Sequence, residues 1–397
     1  MDIVRSKSHK KIVSKAEQIS KQCLEPRAAQ YDESGSHPWE SWNDLWENGL
    51  LAIAVPTEFG GMGLNMFTYI AVIEKLAQGC TSTAMTLHMH SVVQRFIDEL
   101  ATREQKASFY PDVVEKGKLF GSWGSEPQRR GSSGAIERET IITPKDGGYV
   151  INGKKHFCTM AGAAHRYMVH CSMNGYDEVD GFIMVLIPQE AQGIEIGGGW
   201  DTLGMRATVS PAVTFHNCFV TVDALLGKPG DVNNIGVGQG FGLGYAAVYL
   251  GAAQRALDFT KEYCKINRFA PDPSPLSHSL TVQRNVAEMT MAQEGARQIL
   301  YQSASAWEKA SKEERWLLTA RAKFIATEAA LMVTSKALQT VGGRSAHKHF
   351  PLERLYRDVR TSTLMPPNVD RTMELIGKSE LGVEDTLLAK RAGSDSP

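Results

Sequence analysis

The sequence predicts an α+β protein in three successive parts: an N-terminal helical domain (1–118), a middle antiparallel β-domain (119–230) and a C-terminal helical bundle (231–397). Three observations carry this. Helical periodicity dominates from about residue 8 to 118, short alternating or apolar runs bounded by turn residues fill 119–230, and long helical stretches return after residue 240. Short strands without long helices between them favour an antiparallel sandwich or barrel over βαβ units.

In the first part, 65–76 places Met66, Ile70, Val72, Ile73 and Leu76 largely on one face, and 84–100 is apolar enough to be buried. Pro56 and the glycines of 59–63 make the intervening VPTEFGGMG a turn. In the second part, 149–155 reads as a strand ending on Asn152-Gly153, a hairpin signal. Segments 167–171, 181–187 and 211–220 read as further strands. In the third part, 246–265, 281–310 and 312–341 are long enough for bundle helices. The proline-rich 268–277 joins the first two as a loop, and 393–397 is a polar tail.

Composition excludes several classes. The 397 residues carry 43 basic and 44 acidic side chains, a formal net charge of -1, which argues against a nucleic-acid binder working by bulk charge. No apolar run approaches a membrane span, and the polar start lacks a secretory leader, so a cytoplasmic protein is expected. Six scattered cysteines without a CxxC suggest reduced thiols rather than a disulfide or zinc framework. The glycines of 236–244 fit no GxGxxG register and no P-loop occurs. His88/His90 and His347/His349 lie two apart, the wrong spacing for one helix face, so no metal site is expected. No GxSxG elbow is present.

Ordered motifs across the chain resemble the acyl-CoA dehydrogenase superfamily. They are Pro56-Thr-Glu-Phe-Gly-Gly-Met-Gly, Ser125-Glu-Pro followed by Gly131-Ser132, Gly153-Lys-Lys-His-Phe-Cys-Thr, and Leu203-Gly-Met-Arg-Ala-Thr. Gln254-Arg-Ala-Leu-Asp, Gln339-Thr-Val-Gly-Gly and Leu352-Glu-Arg-Leu-Tyr-Arg-Asp complete the series. The resemblance implies an FAD enzyme whose third part is a four-helix bundle. It implies Phe157, Cys158 and Thr159 along the flavin ring, with a hydroxyl from Thr159. Trp123, Ser125 and Ser133 would flank the ring or reach the ribityl and phosphate groups. Arg268, Gln339, Gly342 and Gly343 would approach the FAD of a neighbouring subunit, in a homo-oligomer that is a dimer of dimers. An electron-transfer flavoprotein or a flavin reductase is the implied redox partner.

The chain departs from that family where a base is needed. Pro367 occupies the place of the usual catalytic glutamate, 232–257 contains no acid, and Gly242 stands where an arginine is common. Replacement bases are His88, His90, Asp370, Glu374 or Glu126. The last three more readily serve as helix-start or local structural groups. The leading expectation is oxidation of an acyl thioester, on CoA or a carrier protein, with a displaced base. The alternative is a flavin-dependent monooxygenase or oxidase using reduced flavin and O2, with a histidine of 84–100 handling protons. A non-catalytic scaffold is the third.

Overall fold

The computed structural model describes residues 7–126, 129–130, 136–177 and 179–383. The first part contains α1 (Lys7–Ile19), a π-helical turn, α2 (Glu25–Ser34), α3 (Trp39–Glu47), α4 (Met66–Gly79), α5 (Thr81–Leu100) and α6 (Arg103–Val114). Local chemistry sets the boundaries. Asn65 caps α4 by accepting from the Thr68 N–H at 2.9 Å. Cys80 is extended (φ -149°) and separates α4 from α5. Thr102 and Gln105 form a reciprocal capping box on α6. Helix α5 is central, because it packs on α4 and on elements of both later parts.

The sheet contains β1 (Phe120–Trp123), then β4 (Ile141–Lys145), β5 (Gly148–Lys155), β6 (Arg166–Met173), β7 (Phe182–Pro188), β8 (Ile194–Ile196), β9 (Val213–Thr221) and β10 (Leu225–Leu226). The pair β2 (Arg129–Arg130) and β3 (Ile136–Glu137) forms a separate ladder. Strand order is β10-β7-β6-β4-β5-β9-β8. Most pairings are antiparallel, but β6 takes β1 and β4 as parallel neighbours along its two halves. The expected hairpin at Asn152-Gly153 is corrected. The two-residue turn is Asp146-Gly147, between paired Lys145 and Gly148. Asn152-Gly153 instead lies inside β5 at a register shift against β9. There Gly153 takes φ 143°, and a Cβ would come within 2.5 Å of Thr140 Cα.

The third part consists of α7 (Phe241–Ile266), α8 (Leu280–Ala306), α9 (Lys312–Val341), α10 (Leu352–Arg360) and α11 (Val369–Glu380). Ser311 and Glu314 cap α9 reciprocally. Helix α7 packs on α9, α8, α4 and α5, and the two short helices lie on α9.

Two of the sequence motifs meet across the domain boundary. Asp358 of α10 accepts the Met205 N–H at 2.6 Å, and Arg357 donates to the Leu203 carbonyl at 3.0 Å. Gly204 is required between them, since a Cβ would sit 2.3 Å from the Arg357 carbonyl oxygen. Burial pushes Asp358 up to about 6. Arg357 is also paired with Asp32 of α2 at 2.6 Å, so one guanidinium ties all three parts together.

Candidate functional site

The exit of β5 and the 203–210 segment form one wall. Phe157 and Met160 have φ 55° and 62°, and Met205 and Val209 have φ 57° and 39°. Only Asn217 joins them as a non-glycine residue at positive φ among the described residues. Such conformations cost about 1–3 kcal/mol each and cluster where the surroundings over-determine them. The wall is held from behind. The Trp123 indole N–H donates to the Thr159 carbonyl at 3.0 Å, and the indole stacks on Tyr167 at 3.8 Å. The Cys158 N–H donates to the Pro211 carbonyl, and the His156 N–H to that of Ser125 at 2.8 Å. Ser210, Thr208 and Thr159 line up their hydroxyls, with 3.1 Å from Ser210 to Thr159 and 2.9 Å from Thr208 to Ser210.

This arrangement sorts the expected cofactor-binding residues. Phe157 (66 % exposed) and the exposed Ser125 face open space, and Thr159 sits at its edge. The side chains of Trp123 and Cys158 are fully buried, Trp123 in β1, all four of whose residues are buried, and Cys158 next to Phe157 at φ 55°. Ser133 lies outside the described residues.

Two histidines of α5 are fully buried and do different work. His90 Nδ1 accepts the Phe120 N–H at 2.9 Å, which binds α5 to the start of β1. His88 Nδ1 lies 2.6 Å from the Tyr69 hydroxyl, and Nε2 lies 3.1 Å from the Phe241 carbonyl. A carbonyl only accepts, so Nε2 carries the proton and Tyr69 donates to Nδ1. Burial lowers His88 to about 3 and His90 to about 4, and raises Tyr69 and Tyr245. Around His88 stand Tyr245 at 5.0 Å and Phe241 at 6.2 Å, with Phe96 6.1 Å from Phe241. Gly244 admits the imidazole, because a Cβ there would be 2.0 Å from His88 Cε1.

The expected bases fare unevenly. His90 commits Nδ1 to the Phe120 amide, a bond that ties α5 to β1. Asp370 is an exposed first-turn residue of α11, and Glu374 is exposed and held to about 2 by Lys378 and Arg371. Glu126 accepts from the Thr140 N–H and hydroxyl at 3.0 and 2.7 Å and pairs with buried Lys155 at 3.3 Å, a structural brace. Pro367 lies in the segment between α10 and α11. Gly242 is sealed, since a Cβ would be 2.3 Å from Thr319 Cγ2 of α9. Beside it Lys323 of α9 is buried, donates to the Ser362 carbonyl at 3.2 Å, and is lowered by burial to about 8.

Arg268, Gln339, Gly342 and Gly343 gather elsewhere. Gly342 ends α9 at φ 82° with Phe269 Cζ 3.5 Å from its Cβ position, and Gln339 and Phe269 line a cavity of about 360 Å³. Arg268 is exposed just beyond the end of α7. Phe241, against His88, begins that 26-residue helix, so the two groups sit at opposite ends of about 39 Å of helix.

Sequence reasoning missed Tyr69, Thr208, Ser210 and Lys323. Thr208 and Ser210 were reachable, because they close and follow the Leu203–Thr208 motif. Tyr69 and Lys323 carry no signal of their own; each looks like one more position on a helix.

Comparison with known proteins agrees with this architecture. Models of the acyl-CoA dehydrogenase N-terminal, middle and C-terminal domains match residues 6–117, 121–218 and 243–364. The chain is 30% identical to the short-chain specific acyl-CoA dehydrogenase of Clostridium acetobutylicum, over 86% of this chain and 89% of that protein. It is 29% identical to the dibenzothiophene monooxygenase of Mycolicibacterium goodii, over 85% and 86%. Among solved structures, the FMN-bound TdsC of Paenibacillus sp. A11-2, a dibenzothiophene monooxygenase, superposes with TM-score 0.86 at 26% identity, over 96% of this chain and all of that one. With its helical, β-sheet and helical parts each matched in order, the chain is an oxidoreductase of the acyl-CoA dehydrogenase family.

Proposed function

We propose that this protein is an FAD-dependent monooxygenase of the acyl-CoA dehydrogenase fold, using reduced flavin and O2. One observation carries the reading: no candidate carboxylate is poised as a base. Glu126 braces Thr140, Asp370 and Glu374 are on the surface, and the first turn of α7 has no acid. Removal of an α proton from a thioester needs such a group. The Tyr69–His88 pair beside Phe241 and Tyr245 supplies neutral hydrogen-bonding groups in a largely aromatic setting instead.

The wall of Phe157–Thr159 fits a flavin ring. It offers an exposed aromatic face and a hydroxyl whose backbone is fixed by Trp123. A flavin bound there supplies a two-electron carrier. Thr159 orients it through its hydroxyl, Ser125 lies at its edge, and His88 with Tyr69 manages protons. By resemblance to the family, Arg268, Gln339, Gly342 and Gly343 of a second copy hold the phosphate and adenylate half, which favours FAD over FMN and implies a homo-oligomer, a dimer of dimers. A flavin reductase is the matching partner.

A second reading, thioester oxidation, is favoured by the 30% identity to the clostridial acyl-CoA dehydrogenase. One experiment separates the two. Purified FAD-loaded protein is given reduced flavin, 18O2 and an aromatic heterocycle such as dibenzothiophene, and in parallel a panel of acyl-CoA thioesters without oxygen. Label in the product supports the monooxygenase. Flavin bleaching by a thioester with no labelled product overturns it and installs the second reading.

A further inference from the structure

We infer that Arg95 binds a carboxylate of the substrate, so that the ligand of the Tyr69–His88 site is an aromatic ring system bearing an acid. This rests on the reading that the Tyr69–His88 pair meets the substrate. Arg95 follows His88 by seven residues on α5. That spacing is close to two full turns, so both side chains leave α5 on one face, about 10.5 Å apart along its axis. Tyr69 of α4 lies between them. Its hydroxyl is 2.6 Å from His88 Nδ1, and the Arg95 guanidinium carbon stands 4.7 Å from its ring centroid.

The guanidinium lacks a counter-charge. Its Nη2 donates to the Leu64 carbonyl at 3.2 Å, and its buried Nε–H has no acceptor among the described residues. No carboxylate of the described residues forms an ion pair with it. The two carboxylates that feel its charge are committed elsewhere. Asp98 pairs with Lys106 at 3.2 Å, and Glu308 accepts the Met66 N–H at 3.1 Å. Burial lowers Arg95 below its ordinary value, yet a guanidinium stays protonated. A charge is thus held largely out of water against one carbonyl and one ring, which is costly until an anion arrives. The bracing arginines of this protein come with their carboxylates: Arg297 with Glu74 at 2.8 Å, and Arg357 with Asp32 at 2.6 Å.

Arg95 also stands where the buried site nears the surface. Arg95, Leu64 and Phe241 are part-exposed, whereas His88, Tyr69, Tyr245 and Phe96 are buried. The start of α4 meets the start of α7 there, with Met66 Cε 3.2 Å from the Cβ position of Gly240. Phe241 lies 6.1 Å from Phe96 and 6.3 Å from Tyr245, and these rings favour a flat aromatic partner. A carboxylate on that ring fits the guanidinium fork through two parallel N–H···O bonds and supplies the missing negative charge. A carboxamide of the same shape supplies no charge. Arg95 is a substrate-binding residue in this reading; it neither takes nor gives a proton.

The test uses full-length FAD-loaded protein and two probes of one shape, benzothiophene-2-carboxylate and benzothiophene-2-carboxamide, titrated by calorimetry. The wild type is expected to bind the carboxylate about thirtyfold more tightly than the amide, as a charge-assisted pair of hydrogen bonds would give. Arg95→Gln should lose about that factor for the carboxylate and leave the amide within about twofold. Arg95→Lys should restore only part of it, because an ammonium keeps the charge without the fork. Equal affinity of the wild type for the two probes overturns the inference, as does failure to bind either. An Arg95→Gln variant that weakens both alike also overturns it, since that is the signature of a brace on Tyr69. The wild-type comparison holds whether or not a variant folds. Incorporation of 18O into either probe is read separately. Label without charge preference keeps the monooxygenase reading and strikes this inference; charge preference abolished by Arg95→Gln, without label, does the reverse.

Discussion

His88 and His90 stand two residues apart on α5, are equally buried, and do opposite jobs. Two positions turn a helix by about 200°, so the rings leave on opposite sides. His90 meets the start of β1 and spends Nδ1 on a backbone amide. His88 meets α4 and α7, where its partners are a phenol and a carbonyl among aromatic rings. The first environment is closed by backbone and leaves little to exchange. The second pairs a side-chain phenol with a single backbone carbonyl. Residue type and burial alone therefore do not mark a functional histidine; the nature of its partners does.

The largest test strikes both rings at once. Both are lowered by burial, to about 3 and about 4. Below pH 6.5 the unfolded chain takes up two protons that the folded chain refuses. Stability is therefore fully present above pH 6.5 and falls as the pH drops. Urea unfolding at pH 5 should show a loss of about 4 kcal/mol from these two groups relative to pH 8. A loss of only about 2 kcal/mol would mean that one ring is protonated in the fold, and no loss that both are.

His90→Ala comes next and separates the two sites. It orphans the Phe120 N–H and opens a cavity, so unfolding free energy should fall by about 3 kcal/mol. Flavin-dependent turnover per folded molecule should not change. If turnover falls without a stability loss, the assignment of His90 as a brace is wrong. Gly244→Ala probes the other ring by crowding it. A Cβ 2.0 Å from His88 should cost about 2 kcal/mol by denaturant titration and displace the imidazole from Phe241. Tyr69→Phe is the mildest, removing one buried donor for about 1 kcal/mol. Under the proposed function it should still reduce turnover severalfold, and equal activity in this variant would place the protons elsewhere.

Much of the fold was legible because it is written in local patterns. The helix at 312–341 is announced by its length, and the structure returns those bounds and adds the Ser311–Glu314 capping box. The hairpin was misassigned because Asn152-Gly153 and Asp146-Gly147 are equivalent as dipeptides. Only pairing with β9 shows that the first is a bulge. The site was legible in part. Phe157 is exposed and Thr159 lies beside it at 8 %, whereas the side chains of Trp123 and Cys158 are buried, which only the packing of β1 and of the β5 exit decides.

The sequence by itself determined the order of the three parts and the absence of an acid at 232–257. These depend on composition and short-range periodicity, which need no partner. The tertiary structure alone decided that Glu126 and His90 are braces, that Gly242 is closed by α9, and that Thr159 heads a chain of hydroxyls. Each of those depends on a hydrogen bond or a contact between residues distant in sequence. The energy of a buried polar group is set by what stands opposite it.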